Sequence, residues 1–192
     1  MKKIVLTFGL ISGAIMSALM TAVMVFAHQT NPSSGMIIGY TIMVLSFLLV
    51  FFGIRSYREN VGNGHISFGR ALGVGFLIML ISCVCYVATW EVVYHKFMPD
   101  FGEKYLAQSV ERLRTSGKPP QEIENEIENM RSMMQLYNSN IFFNIGITFL
   151  EPLPVGVLMS LVSAFILKKR RRDAEDLQDY PDGVKGTSVN PV

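Results

Sequence analysis

Four long apolar runs, at about 4–27, 36–54, 68–94 and 141–167, divide this chain, and the charged residues are gathered between them. The hydrocarbon core of a bilayer is about 30 Å thick, so a helix needs about 20 mostly apolar residues to cross it. Each run approaches or exceeds that length. The reading is an all-α membrane protein with four transmembrane helices. The apolar share of 50% would not decide this alone, because soluble domains reach about 45–50%; the clustering decides it. The first run starts at Lys2-Lys3 and ends at Val25-Phe26-Ala27, a pattern resembling a secretory signal. Signal h-regions hold about 7–15 apolar residues, and this run is longer, so it is expected to stay as a membrane helix. Cys83 and Cys85 stand at i,i+2 in the third run, where helical side chains do not face each other, so no disulfide is expected between them.

Basic residues set the expected sidedness, because cytoplasmic flanks of membrane helices are enriched in Lys and Arg. Lys2 and Lys3 precede the first run, and Arg55 and Arg58 lie in the second connection, with Arg70 just beyond. The fourth run ends at Lys168-Lys169-Arg170-Arg171-Arg172, whereas 28–35 carries no Lys or Arg. Both termini are therefore expected on the cytoplasmic side of the membrane, with residues 95–140 outside. The 168–172 cluster reads as a stop-transfer anchor that also contacts lipid head groups. Each basic residue there contributes roughly 1 kcal/mol near an anionic surface.

Residues 95–140 carry two helical stripes: Leu106, Val110 and Leu113, then Ile123, Ile127, Met130 and Met134. Their i, i+4, i+7 spacing is that of an amphipathic helix. Ser116-Gly117-Lys118-Pro119-Pro120 lies between them, placing glycine past one helix end and proline at the start of the next. This predicts a helical hairpin outside the membrane, within a membrane domain spanning 1–172. The segment 173–192 is polar and reads as a disordered cytoplasmic tail.

Small residues recur at four-residue spacing in the runs: Gly9, Gly13 and Ser17; Gly69 and Gly73; Gly156, Ser160 and Ala164. Lipid supplies no hydrophobic drive between helices, so close backbone approach at such residues holds them together. Helix packing is expected at Gly9, Gly13, Gly69, Gly73 and Gly156, within the bundle or between copies.

Two acids, Glu91 and Glu151, belong to the apolar runs. At about 1.5 Å of rise per residue, both fall near the outer rim rather than at mid-membrane. Glu151 precedes Pro152-Leu153-Pro154, and proline favours a first helical turn, so the helix is expected to restart there with the carboxylate at its positive end. Glu91 and His95 are i,i+4 on one helix face, and His28 follows the first run on the same side. Together Glu91, His95, Glu151 and His28 form a candidate polar cluster. No zinc spacing, phosphate loop, His-Glu-x-x-His or nucleophile elbow is present, so no catalytic residue, metal or cofactor is expected. Gly62-Asn63-Gly64-His65 reads as a turn, and Ser67 as an N-cap.

The stretch Gly53-Ile54-Arg55-Ser56-Tyr57-Arg58, followed by Gly64-His65-Ile66-Ser67-Phe68-Gly69-Arg70-Ala71, resembles the central signature of a bacterial family catalogued as domain of unknown function 4199. Trp90, Pro99-Asp100-Phe101-Gly102-Glu103-Lys104-Tyr105 and Thr148–Gly156 extend the resemblance to about Arg172. It implies a four-helix integral membrane protein with an outer helical insert, and it brings no activity or substrate. Two functions follow as expectations. One is a non-enzymatic accessory protein that meets a membrane-protein partner through the hairpin. The other is a small oligomeric transporter with a Glu91/Glu151 site. The bilayer is a partner in both, and nucleic acid in neither.

Overall fold

The computed structural model describes residues 1–26 and 32–169. It contains seven α-helices among those residues: α1 Lys2–Phe26, α2 Pro32–Asn60, α3 Phe68–Val92, α4 Phe101–Arg114, α5 Pro120–Ser139, α6 Ile141–Leu150 and α7 Leu153–Leu167. A π-helical turn, Val93–Phe97, prolongs α3. Four spans are long and apolar enough to cross a membrane: Lys2–Met24, Ile37–Asn60, Phe68–Phe97 and Ile141–Leu167. The chain is a multi-pass membrane protein. Leu6, Leu10, Phe52, Val84, Leu158 and Phe165 leave much of their surface uncovered along these spans, as helices facing hydrocarbon do.

The four spans alternate in direction. The α carbons of α1 and α3 rise together: a Cβ built on Gly9 would lie 2.8 Å from the Ile81 Cβ, and one on Gly13 2.6 Å from the Cys85 Cβ. Real side-chain carbons do not approach so closely, so only glycine permits this contact. Helix α2 runs the other way, with Ser12 Oγ donating to the Ser46 carbonyl at 2.8 Å and Gly53 set against Phe8 and Ile78. Helix α7 also opposes α3, with Gly156 against Met79 and Gly75 against Ser160. The pair α2/α3 touches both α1 and α7. Its centre is a fully buried layer of Met16, Phe47, Val50, Ile54, Ile78 and Met79.

The packing expected at Gly69 and Gly73 is not made within the bundle. Nothing lies within 4 Å of a Cβ at either position, and the close approaches fall to Gly53 and Gly75. Gly69 and Gly73 have the right spacing but sit on a face of α3 that meets no neighbouring helix. Ser67 occupies the N-cap position of α3 with extended backbone, yet its hydroxyl makes no capping bond. Cys83 and Cys85 are free thiols.

The fourth span is two helices. Proline has no N–H to continue a helical ladder, and at Glu151-Pro152 the chain makes a turn before α7 begins. At the opposite end of the bundle, Ile66 and Lys169 exchange two backbone hydrogen bonds of 3.0 and 2.9 Å. These tie the α2–α3 connection to the end of α7. Between α3 and α6 stand α4 and α5, packed against each other, with Gly117 at φ 73° in the turn between them. The stripe residues Leu106, Val110, Leu113, Ile123, Ile127, Met130 and Met134 are all among the shielded positions of this pair, with Gly102 and Ser109.

Candidate functional site at the hairpin end

The hairpin is fastened to the bundle by aromatic side chains at the end of α3. Trp90 Nε1 donates to Tyr137 Oη at 2.8 Å. Tyr137 Oη and Thr148 Oγ1 are hydrogen-bonded at 3.0 Å, which carries the contact from α3 through α5 to α6. Tyr94 Oη donates to Asn138 Oδ1. Asn140 stands between α5 and α6, and its Oδ1 accepts from the N–H groups of Phe142 and Phe143, capping α6. Rings of Trp90, Tyr94, Phe101 and Tyr137 pack edge to face or tilted at centroid distances of 5.5–6.2 Å, the range in which aromatic pairs attract. Burial pushes the Tyr137 phenol above its ordinary pKa, against the opposing influence of its hydrogen bonds with Thr148 and Trp90.

Beneath this cluster lies a cavity of about 280 Å³, walled by Trp90, Tyr94, Tyr105, Met130, Met134 and Tyr137 among others. The polar atoms of Trp90, Tyr94 and Tyr137 are already paired, so the rings offer carbon to the cavity. Methionine lends such a wall adaptability, because its unbranched thioether repacks easily.

The four members of the expected polar cluster take different places. Glu151 accepts from Tyr86 Oη at 3.0 Å and faces a second cavity of about 150 Å³ inside the bundle, whose wall includes Met16, Met20, Met43 and Tyr40. Glu91 pairs with His95 instead, with Nε2 at 3.2 Å from Oε2. That is ion-pair distance but off the line of a hydrogen bond, and neither buried carboxylate oxygen of Glu91 has a hydrogen-bond partner among the described residues. No hydrogen bond joins the two acids. His28 lies outside the described residues, as do Arg170, Arg171, Arg172 and the tail 173–192. No three of His, Cys, Asp and Glu gather as a metal-ligand set among the described residues. Lys168 lays its ammonium 4.1 Å above the Phe165 ring, and Lys169 lines a polar cavity at the far end of the bundle.

Tyr86, Tyr137, Asn138 and Thr148 are site residues that sequence reading does not single out. Tyr86, Tyr137 and Asn138 meet partners 44–65 positions away, and Tyr137 meets Thr148 on a separate helix; no local pattern signals such contacts, and only the aromatic enrichment around Trp90 and Tyr94 points to the region.

The fold and this junction define an all-α integral membrane protein with four spans and a helical hairpin docked at one end. Residues 7–169 match the family described as Protein of unknown function (DUF4199), and the chain belongs to that family. No curated protein and no solved structure matches the chain.

Proposed function

We propose that the protein is a non-enzymatic accessory of the bacterial inner membrane, with both termini cytoplasmic, that engages a membrane-protein partner through its outer hairpin. The carrying observation is the apolar cavity under α4 and α5, walled by aromatic rings and methionines, with the polar atoms of Trp90, Tyr94 and Tyr137 already paired. Binding sites with rigid aromatic anchors and adaptable thioethers suit an apolar side chain or segment of a partner. Photocrosslinking probes at Gln108 and Asn129, used in intact membranes with mass spectrometry, test the proposal. Recovery of a distinct membrane protein through both sites supports it. Recovery of the chain alone makes it a homo-oligomer and removes the accessory reading.

A second reading is favoured by one specific feature, the break between α6 and α7. Discontinuous membrane helices with a polar group at the break form substrate and ion sites in transporters, and Glu151 stands at this break facing an internal cavity. In this reading the chain is a small transport component and Glu151→Gln abolishes uptake while leaving the hairpin crosslinks in place.

A further inference from the structure

We infer that the end of the bundle opposite the hairpin carries a phosphate-binding site formed by Ser67, Arg70 and Lys169 at the start of α3. A cavity of about 620 Å³ opens there, and these three residues line it with Asn63, His65 and Ile66. The wall is built by a tight turn. Asn63 and Gly64 hold φ values of 46° and 82°, the His65 N–H donates to the Gly62 carbonyl at 2.9 Å, and Gly62 lies so close to the His65 carbonyl that a Cβ has no room. The two backbone bonds between Ile66 and Lys169 then bring the end of α7 beside the start of α3.

The donors on this wall are unspent. Among the described residues Arg70 and Lys169 form no ion pair, and no Asp or Glu lines the cavity. The Ser67 hydroxyl makes no capping bond. Ala71 is the first residue of α3 whose N–H reaches a backbone carbonyl, that of Ser67 at 2.9 Å; the preceding N–H groups are the ones a helix leaves without an intrahelical acceptor. His65 Nδ1 is 2.9 Å from the Asn63 carbonyl, which only accepts, so Nδ1 carries the hydrogen. His65 Nε2 is then the acceptor nitrogen and is shielded, so the imidazole belongs to the wall of the cavity and offers it no donor.

Two cations, a hydroxyl and a helix start therefore converge on one space, and among the described residues no acid lines it. The complementary ligand bears negative charge and several acceptor oxygens. Phosphate meets both demands: guanidinium grips it with paired N–H groups, and helix starts favour it through their free N–H groups and dipole. The same chemistry comes from a phospholipid head group or from a soluble phosphate. This site lies apart from the hairpin and stands whether or not the hairpin recruits a partner.

The test uses the full chain in detergent, with native mass spectrometry of retained ligand. The probes are phosphatidylglycerol, uncharged diacylglycerol of the same chains, and inorganic phosphate as competitor. The expected result is one phosphatidylglycerol retained per chain and no diacylglycerol. Arg70→Gln and Lys169→Gln should each weaken retention about fivefold, the effect of removing one basic group near an anionic head group. Neither side chain makes a hydrogen bond to the protein among the described residues, and the Lys169 backbone bonds survive substitution, so the melting temperature should hold. The control Lys2→Gln/Lys3→Gln removes two charges from the same end outside the cavity and should change little. Displacement of lipid by inorganic phosphate identifies a soluble phosphate as the ligand; resistance identifies the head group; both outcomes support the site. Equal retention by native chain and the Arg70→Gln/Lys169→Gln double variant overturns it, as does an equal loss in the Lys2/Lys3 control or failure of both probes to bind.

Discussion

The bundle and the hairpin are both helical, but they are held by different forces. In the bundle, glycines let backbones touch. Gly13 lies against Cys85, Gly9 against Ile81 and Gly156 against Met79, and serines such as Ser12 and Ser82 donate across the contacts to backbone carbonyls. In the hairpin, helices meet along apolar stripes and are pinned to the bundle by Trp90, Tyr94, Tyr137 and Asn138. The difference follows from the solvent. Lipid rewards no apolar burial, so the spans associate by close approach and hydrogen bonds. Water rewards apolar burial, so the hairpin needs only a stripe and a few anchors. The bundle should thus be sensitive to added volume, and the hairpin to lost polar partners.

Adding volume where α1 meets α3 should have the largest effect. Gly13→Leu forces atoms into Cys85 and should destabilise the bundle by about 3 kcal/mol or more, at the upper end for overpacking, seen as loss of a cooperative melt in detergent. The matched change Gly73→Ala faces open space and should leave the melt unchanged or slightly raised, since alanine is the better helix former. A similar loss in both variants would mean that α3 packs on the face now assigned to lipid.

The hairpin should respond at an intermediate level. Tyr137→Phe strips the partner from Trp90 Nε1 and leaves Thr148 Oγ1 with Asn144 alone. Leaving a shielded donor unpaired costs about 1–3 kcal/mol, so proteolysis near Gly117 should accelerate while the bundle's melt stays put. The same phenol gives a smaller, pH-driven effect. Its pKa is raised in the docked state by burial, so docking is at full strength below the ordinary tyrosine value of about 10. As pH rises above that value the undocked phenol ionises first, and docking weakens until the docked phenol ionises too. Trp90 emission, from the sole tryptophan of the chain, reports this directly, and a flat profile through that range would refute it. At the bottom of the scale, Lys118 pairs with Glu122 and Glu126 across the hairpin turn, and these bonds raise its pKa. The group is fully exposed, where ion pairs contribute little, so Lys118→Gln should leave both hairpin helicity and docking unchanged.

The spans were legible because an apolar run of membrane length has few other uses, and the hairpin because its stripes and the Gly117–Pro120 turn agree on two helices. The interruption of the fourth span was written in Pro152 and Pro154, and the Glu91–His95 pair in its four-residue spacing. The contacts that assemble the junction were not legible. Tyr86 and Glu151 are 65 positions apart, Trp90 and Tyr137 are 47, and each pairing depends on how whole helices stack. Gly69 and Gly73 mark the same boundary from the other side: a period of four identifies a helix face without saying whether a helix or lipid lies against it. Ser67, Arg70 and Lys169 were visible singly, but nothing local says that Ile66 and Lys169 meet.

The prolines at 152 and 154 also fix how a load travels through the molecule. The hairpin is moored at both ends, to α3 through the π-helical turn and to α6 through Asn140. Helix α3 is wedged against α1, α2 and α7, whereas α6 touches α3 and α5 with only a slight hold on α7. Tension on the hairpin therefore meets a fixed mast on one side and a short boom on the other. The break in that boom falls at Pro152, with the Glu151 carboxylate beside it.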